Sequence, residues 1–98
     1  MQKAELIEAL KGLRPSLAAE GVRHLAIFGS RARGDEHPTS DLDLLVDIEP
    51  DASFSLLNLV GVEQIVAEGT GLTANAVTRR GLETPLRESI EKDLVTVF

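Results

Sequence analysis

The chain has 98 residues, 43% of them hydrophobic, and its 16 acidic residues outnumber its 10 basic residues to give a formal net charge of −6. This length suits one domain covering residues 1–98, and the lack of cysteine excludes disulfides and zinc–thiolate sites. The acidic balance argues against bulk DNA or RNA as the main partner, because such binders usually present a basic face.

The first predicted element is a helix over residues 2–20, because leucine recurs there every three or four residues. Pro15 would interrupt it, so we expect a break near residues 12–14 and a second short helix with Pro15 in its first turn. Gly21 is the expected C-terminal cap. No apolar run reaches the roughly 20 residues of a membrane helix, and no signal-peptide core follows Met1. We therefore expect a soluble cytoplasmic protein, with homo-oligomer formation left open.

Two strands are predicted next, at residues 22–28 and 41–48, with a single helical turn at residues 30–34 and a loop at 35–40 between them. The second strand alternates strictly between apolar and mostly acidic positions. Its core face should carry Leu42, Leu44, Val46 and Ile48, and the opposite face, lining solvent or a cleft, Asp41, Asp43, Leu45 and Asp47.

The second half of the chain predicts a long helix, a strand and another helix. The helix over residues 54–68 should begin near Asp51, Ser53 or Ser55 and present an apolar face that includes Leu56, Leu59, Val60, Val62, Ile65 and Val66. A strand at 72–78, a turn at 79–81 and a helix at 85–93 follow, the helix with a row of Leu82, Leu86 and Ile90. Residues 95–98 are too few to assign. The order predicts an α/β domain with a small sheet flanked by helices.

The chemistry is concentrated at the end of the first strand and the start of the second. Gly29 lets a backbone approach phosphate oxygens closely, and the N–H groups and hydroxyl at Ser30 could then bind them, with added charge from Arg31 or Arg33. Asp41 and Asp43 lie about 6.6 Å apart on one strand face, an arrangement in which two carboxylates can hold Mg²⁺ together.

Each half of this pattern is weak evidence alone, because Gly-Ser usually marks a turn and Asp-x-Asp is more often an exposed strand edge. Joined by a polar loop of about ten residues, the two halves together favour a site for phosphate groups and a metal ion. Other candidates are weaker. His24 and His37 lack partners at metal-ligand spacing, and Arg79-Arg80 is more simply a solvated turn than a contact to phosphate or to an acidic partner.

The segments at residues 28–34 and 40–46 resemble the signature of the minimal nucleotidyltransferases of the DNA polymerase β superfamily, which is hydrophobic-Gly-Ser, a spacer and Asp-hydrophobic-Asp. The similarity covers nearly the whole chain, including residues 77–82. It implies a polymerase β-like fold, triphosphate binding at Gly29 and Ser30, and metal ligation by Asp41 and Asp43. The implied reaction moves a nucleoside monophosphate from ATP or another NTP to an acceptor, with release of pyrophosphate.

The same resemblance implies an antitoxin-like domain whose acceptor is a partner protein, such as a HEPN-type toxin. One position departs from the family pattern, because a third carboxylate is usual where this chain has Asn75. An amide oxygen can ligate a metal weakly but cannot take a proton, so catalysis is affected more than nucleotide binding. The alternative is therefore a catalytically degenerate module that neutralises its partner by contact alone.

Overall fold

A computed structural model describes all residues from Met1 to Phe98. The elements, in chain order, are α1 (Lys3–Gly12), α2 (Arg14–Ala19), β1 (Val22–Phe28), α3 (Ser30–Arg33), β2 (Leu42–Ile48), α4 (Leu56–Thr70), β3 (Ala74–Thr78), a 3₁₀ turn (Arg79–Gly81), α5 (Thr84–Glu91) and β4 (Val95–Thr96).

The four strands form one mixed sheet in the order β3-β2-β1-β4. β1 is antiparallel to both β2 and β4, whereas β2 and β3 are parallel and are connected through α4. This architecture confirms the predicted small mixed sheet flanked by helices. The register places Phe28 and Asn75 on either side of Asp43, so the end of β1 and the start of β3 meet at the acidic end of β2.

The main core lies between one face of the sheet and the helices α1, α2 and α4. The buried side chains that β2 contributes to it are Leu42, Leu44 and Val46, as the alternation predicted. The other face is covered only in part, by α5, whose Ile90 packs on Ala26 and Leu45. The sequence prediction that Leu45 shares an open face with the acids is therefore wrong, because α5 lies over the middle of that face and buries this leucine.

Several predicted boundaries and faces also differ from the structure. The break between α1 and α2 falls at Leu13, as expected, and of the three residues predicted near the start of α4, the N-cap is Ser55 and not Asp51 or Ser53. The side chains of Ser55 and Asn58 there form a reciprocal capping box.

Of the apolar positions predicted for the core face of α4, Val62 and Val66 are buried in the core, as expected, whereas Leu56 and Val60 are exposed on the other side of the helix. Leu86 is likewise exposed on α5, where only Ile90 is buried. The unassigned C-terminal residues form β4, which pairs with Ala26 and Ile27. None of the helices combines the length and apolar composition needed to cross a membrane.

Candidate active site

The bend after β1 is in direct contact with the acidic end of β2. Gly29 has φ +75° and ψ −158°, a combination that is essentially restricted to glycine. A Cβ at this position would overlap with Oδ2 of Asp43. The structure thus brings together the two halves of the sequence pattern, the Gly-Ser bend and the Asp-x-Asp pair.

The helical turn α3 begins immediately after this bend. The carbonyl oxygen of Gly29 accepts hydrogen bonds from the N–H groups of Ala32 and Arg33, both at 3.1 Å. Ser30 therefore stands at the first position of a turn, half-buried beside Gly29. As the first residue of the turn, Ser30 has an N–H group that finds no acceptor within the turn itself.

Arg31 supports the loop that leads to the acids. Its side chain is only 4% exposed, and its Nε donates to the carbonyl oxygen of Ser40 at 3.0 Å. Nη2 donates to the carbonyl oxygens of His37 and Pro38, each at 3.5 Å. This placement does not fit the predicted contact between Arg31 and a triphosphate, because the guanidinium is buried and directed at the loop. Arg31 instead fixes the loop just before Asp41.

The two predicted metal ligands lie next to each other and next to Asn75. Asp41 is exposed and precedes β2, and its Oδ2 accepts a hydrogen bond from Nδ2 of Asn75 at 3.0 Å. Asp43 is half-buried. Its burial and the negative charge of Asp41 raise the pKa of Asp43, and a hydrogen bond from Asn75 and the charge of Arg33 offset this only in part.

This electrostatic arrangement predicts how stability depends on pH when divalent ions are removed by a chelator. Because the pKa of Asp43 is raised in the folded state, its contribution favours folding at pH values below the ordinary carboxyl range and is lost as pH rises through the folded pKa. Asp43→Asn should therefore melt at a higher temperature than wild type at neutral pH, and the gap should narrow as pH falls. Asp51→Asn, an exposed acid in the next turn, controls for the loss of one negative charge. A gap that does not change with pH would contradict the prediction.

The other arginines near the site are held by carboxylates of this chain. Arg33 contacts Asp35 at 3.1 Å and Asp93 at 2.9 Å, which ties α3 to the residues after α5. Arg79 contacts Asp47 at 2.8 Å and Glu91 at 3.2 Å. The simple solvated turn predicted at Arg79 is thus wrong. Apart from Asp35, which lies two residues after Arg33, the partners come from other elements, so no spacing in the sequence indicated those pairs.

Metal-ligating groups are limited to the carboxylate pair. The chain contains no cluster of three or more His, Cys, Asp or Glu residues that could hold a metal ion. His24 and His37 are both exposed, as predicted. A magnesium ion would therefore need phosphate and water oxygens to complete its coordination, which is the arrangement that Mg²⁺ prefers at nucleotide sites.

A comparison with known families agrees with this geometry. The family model described as "Nucleotidyltransferase domain" matches residues 4–97. The chain belongs to the nucleotidyltransferase family. Among curated relatives, "Putative protein adenylyltransferase MJ1217" of Methanocaldococcus jannaschii is 37% identical over 78 residues, which cover 78% of this chain and 76% of the relative. Protein adenylyltransferase MntA of Thermococcus cleftensis is 32% identical over 77 residues, with 79% and 76% covered.

Solved structures show the same nucleotidyltransferase fold. One, named "Structure of putative minimal nucleotidyltransferase", superposes with a TM-score of 0.82 at 29% identity and covers 97% of this chain and 95% of that chain. A complex of a tri-AMPylated Shewanella oneidensis HEPN toxin with an MNT antitoxin superposes with a TM-score of 0.66 at 14% identity, covering 94% and 71%. At that identity the second comparison supports the fold alone.

Proposed function

We propose that this protein is a magnesium-dependent nucleotidyltransferase that binds ATP or another NTP and transfers its NMP group to a partner protein. The observation that carries this proposal is the contact between the Gly29 bend and the carboxylate of Asp43, with Asp41 beside it. A phosphate group at the bend and a cation at the carboxylates would then be neighbours. We further propose a single domain covering residues 1–98 that works in the cytoplasm, in keeping with a chain that lacks cysteine.

Each residue of the site has a distinct role in this proposal. Gly29 leaves room for phosphate oxygens, and Ser30 binds them through its hydroxyl and N–H groups. Asp41 and Asp43 would hold Mg²⁺, which neutralises developing charge on the phosphates when bound. The raised pKa of Asp43 supports this assignment, because a cation would relieve the repulsion between the two carboxylates. Arg31 positions the loop and does not touch the nucleotide.

The partner we propose is a HEPN-type protein. Two observations support this choice: the curated relatives are named protein adenylyltransferases, and a HEPN toxin complex contains the same fold. Asp41 is solvent-exposed immediately before β2, so an acceptor group on a second protein could reach the carboxylate pair from outside. We therefore propose that the acceptor is presented by the surface of the partner.

Incubation with labelled ATP, Mg²⁺ and a HEPN-type partner protein tests the proposal. We expect label on the partner, dependent on the metal and lost when Asp41 or Asp43 is replaced by alanine. A related minimal nucleotidyltransferase with three carboxylates serves as the positive control. If that relative labels the partner and this protein does not, under the same conditions, the transferase proposal is rejected.

Asn75 supports a second candidate function, in which the protein neutralises its partner by contact alone. Its amide donates to Asp41 and cannot accept the proton of an incoming hydroxyl group, which a third carboxylate could do. In this case Asp43→Ala would leave both partner binding and inhibition intact. Loss of inhibition in a complex that still forms would reject the contact-only function.

Asn75→Asp should make the melting temperature depend more strongly on Mg²⁺ and should increase the rate of nucleotide transfer. A third carboxylate beside Asp41 and Asp43 adds like-charge repulsion, so the variant should melt at a lower temperature than wild type in a chelator. Mg²⁺ should reverse the difference, and transfer should rise by about tenfold or more, within the range typical of general-base catalysis. Asn58→Asp is the matched control, because Asn58 lies in the cap of α4, away from the site. Equal responses of both variants to Mg²⁺ would contradict this role for position 75.

A further inference from the structure

The first turns of α4 expose three large apolar side chains. Leu56 is 75% exposed, Leu57 83% and Val60 41%. Residues three or four positions apart are neighbours on a helix surface, so Val60 adjoins both leucines. These three residues, which we call the α4 patch, form a continuous apolar surface rather than scattered single exposures.

The α4 patch continues into a groove between α4 and β3. The groove has a volume of about 420 Å³ and is lined on the helix side by Val60, Glu63, Gln64 and Ala67, with Leu72 and Ala74 on the other side. β3 is the edge strand of the sheet, so its outer side is not covered by another strand. Patch and groove together offer one elongated surface that follows the axis of α4.

Glu63 makes this surface unsuitable for an added strand. Its Oε2 accepts the N–H of Ala76 at 2.8 Å, so that edge N–H of β3 is already bonded. Strand addition needs such edge groups to be free, and a charged side chain held against the edge opposes it. A helix, whose backbone hydrogen bonds are internal, can lie along the groove without displacing Glu63.

The charge around this surface selects the partner. α4 carries Glu63 and Glu68 and no basic residue, and residues 38–78 contain no Lys, Arg or His. Two copies of this chain joined through the surface would bring like charges together, which opposes self-association. A partner with basic residues flanking an apolar stripe would be complementary in both shape and charge.

We propose that the α4 patch and the groove beside it dock an amphipathic helix of a partner protein. The apolar stripe of that helix would contact the α4 patch, and its Lys or Arg residues would lie near Glu63 and Glu68. This inference goes beyond the proposed function, and rests on it only in that a partner protein must exist. The docking surface consists of residues that do not line the candidate active site, so the two can be tested separately.

The probe is a fluorescent 18-residue synthetic helix with a leucine stripe flanked by lysines, compared with the same peptide carrying glutamates in place of lysines. The chain is tested as wild type, as the double variant Leu56→Ser/Leu57→Ser, and as Leu86→Ser, which replaces a leucine on α5 that is also exposed, to 55%. We expect the double variant to bind the lysine peptide about tenfold more weakly, because two apolar contacts are lost. Leu86→Ser should bind within about twofold of wild type, and the glutamate peptide should not bind.

Three outcomes would overturn the proposal. Equal binding of the lysine peptide by wild type and the double variant would show a merely electrostatic contact. A wild-type dimer in sedimentation that the double variant turns into a monomer would assign the surface to a second copy. Stronger binding of wild type than of the double variant to phosphatidylcholine vesicles, without peptide binding, would assign it to lipid. Melting curves of both variants verify folding, which should be preserved because the replaced side chains are exposed.

Failure of the docking surface can be told apart from failure of the transferase proposal. The double variant should bind a non-hydrolysable ATP analogue with Mg²⁺ as wild type does. Asp43→Ala should lose that binding and still bind the lysine peptide. If Leu56→Ser/Leu57→Ser loses nucleotide binding, the α4 patch supports the structure of the active site. The docking proposal then fails, while the transferase proposal stands.

Discussion

Asp43→Ala is expected to lower nucleotide transfer more than about 100-fold and to abolish the stabilisation that Mg²⁺ and a nucleotide analogue give to wild type. The size follows from the loss of a direct metal ligand, since even groups that only orient ligands are worth 10–100-fold. The protein should still fold, because the removed carboxylate is half-buried beside another acid and its charge is a cost in the absence of metal. Calorimetric binding of the analogue, with and without Mg²⁺, and the labelled-ATP assay provide the measurements.

Asp47→Asn is the matched control for this experiment. Asp47 lies on the same strand and the same face as Asp43, but it pairs with Arg79 instead of with a second acid. Its replacement should cost little stability, as is usual for partly exposed ion pairs, and should leave nucleotide binding within about twofold of wild type. If Asp47→Asn lowers binding as much as Asp43→Ala does, the site extends along the strand and the two-acid assignment is wrong.

Gly29→Ala is expected to destabilise the fold and to remove nucleotide binding in the fraction that remains folded. The backbone conformation at this position costs an alanine about 1–3 kcal/mol, and the added Cβ would also overlap with Oδ2 of Asp43. Relief of the overlap must move either the bend or the carboxylate, so metal and phosphate groups would no longer meet. Thermal unfolding and analogue binding measure the two effects.

Gly34→Ala separates backbone strain from steric overlap. Gly34 also has a positive φ, +85°, but a Cβ there would meet nothing within 4 Å. It should destabilise by about 1–2 kcal/mol, the ordinary cost of a left-handed residue, and should keep analogue binding. Loss of binding in both variants would mean that the bend responds to general destabilisation and that the contact with Asp43 is not specific.

The sequence predicted most of the fold because its local signals agree with the tertiary structure. Strands β1 and β2, the break before Pro15 and the long helix all follow from periodicity and turn residues. Leu45 and Leu56 were misplaced for opposite reasons. Leu45 is covered by α5, an element that approaches from far along the chain, whereas Leu56 lies on the side of α4 that faces away from the core. Periodicity describes one element and cannot show which parts of it are covered by another.

The sequence predicted that the Gly29 bend and the acids lie together, and the structure shows this proximity, whereas the contacts of the arginines were not predicted. The approach of Gly29 to Asp43 follows from strand pairing, which the spacing of the motif implies. The role of Arg31 could not be predicted, because a guanidinium next to a phosphate-binding bend can point to phosphate or back to carbonyl groups. Only the course of residues 37–40 decides between them, and that loop has no periodic pattern.

The connection of β2 to β3 through α4 determines the order in which the residues of the site come together during folding. Asp41 and Asp43 can take up their places as soon as the hairpin of β1 and β2 has formed, but Asn75 reaches them only after α4 has packed and β3 has found its parallel register. Such non-local pairing is intrinsically slow. During synthesis or refolding, the two carboxylates would thus be in place before their amide neighbour, and the hydrogen bond from Asn75 to Asp41 would mark the completion of folding rather than its first stage.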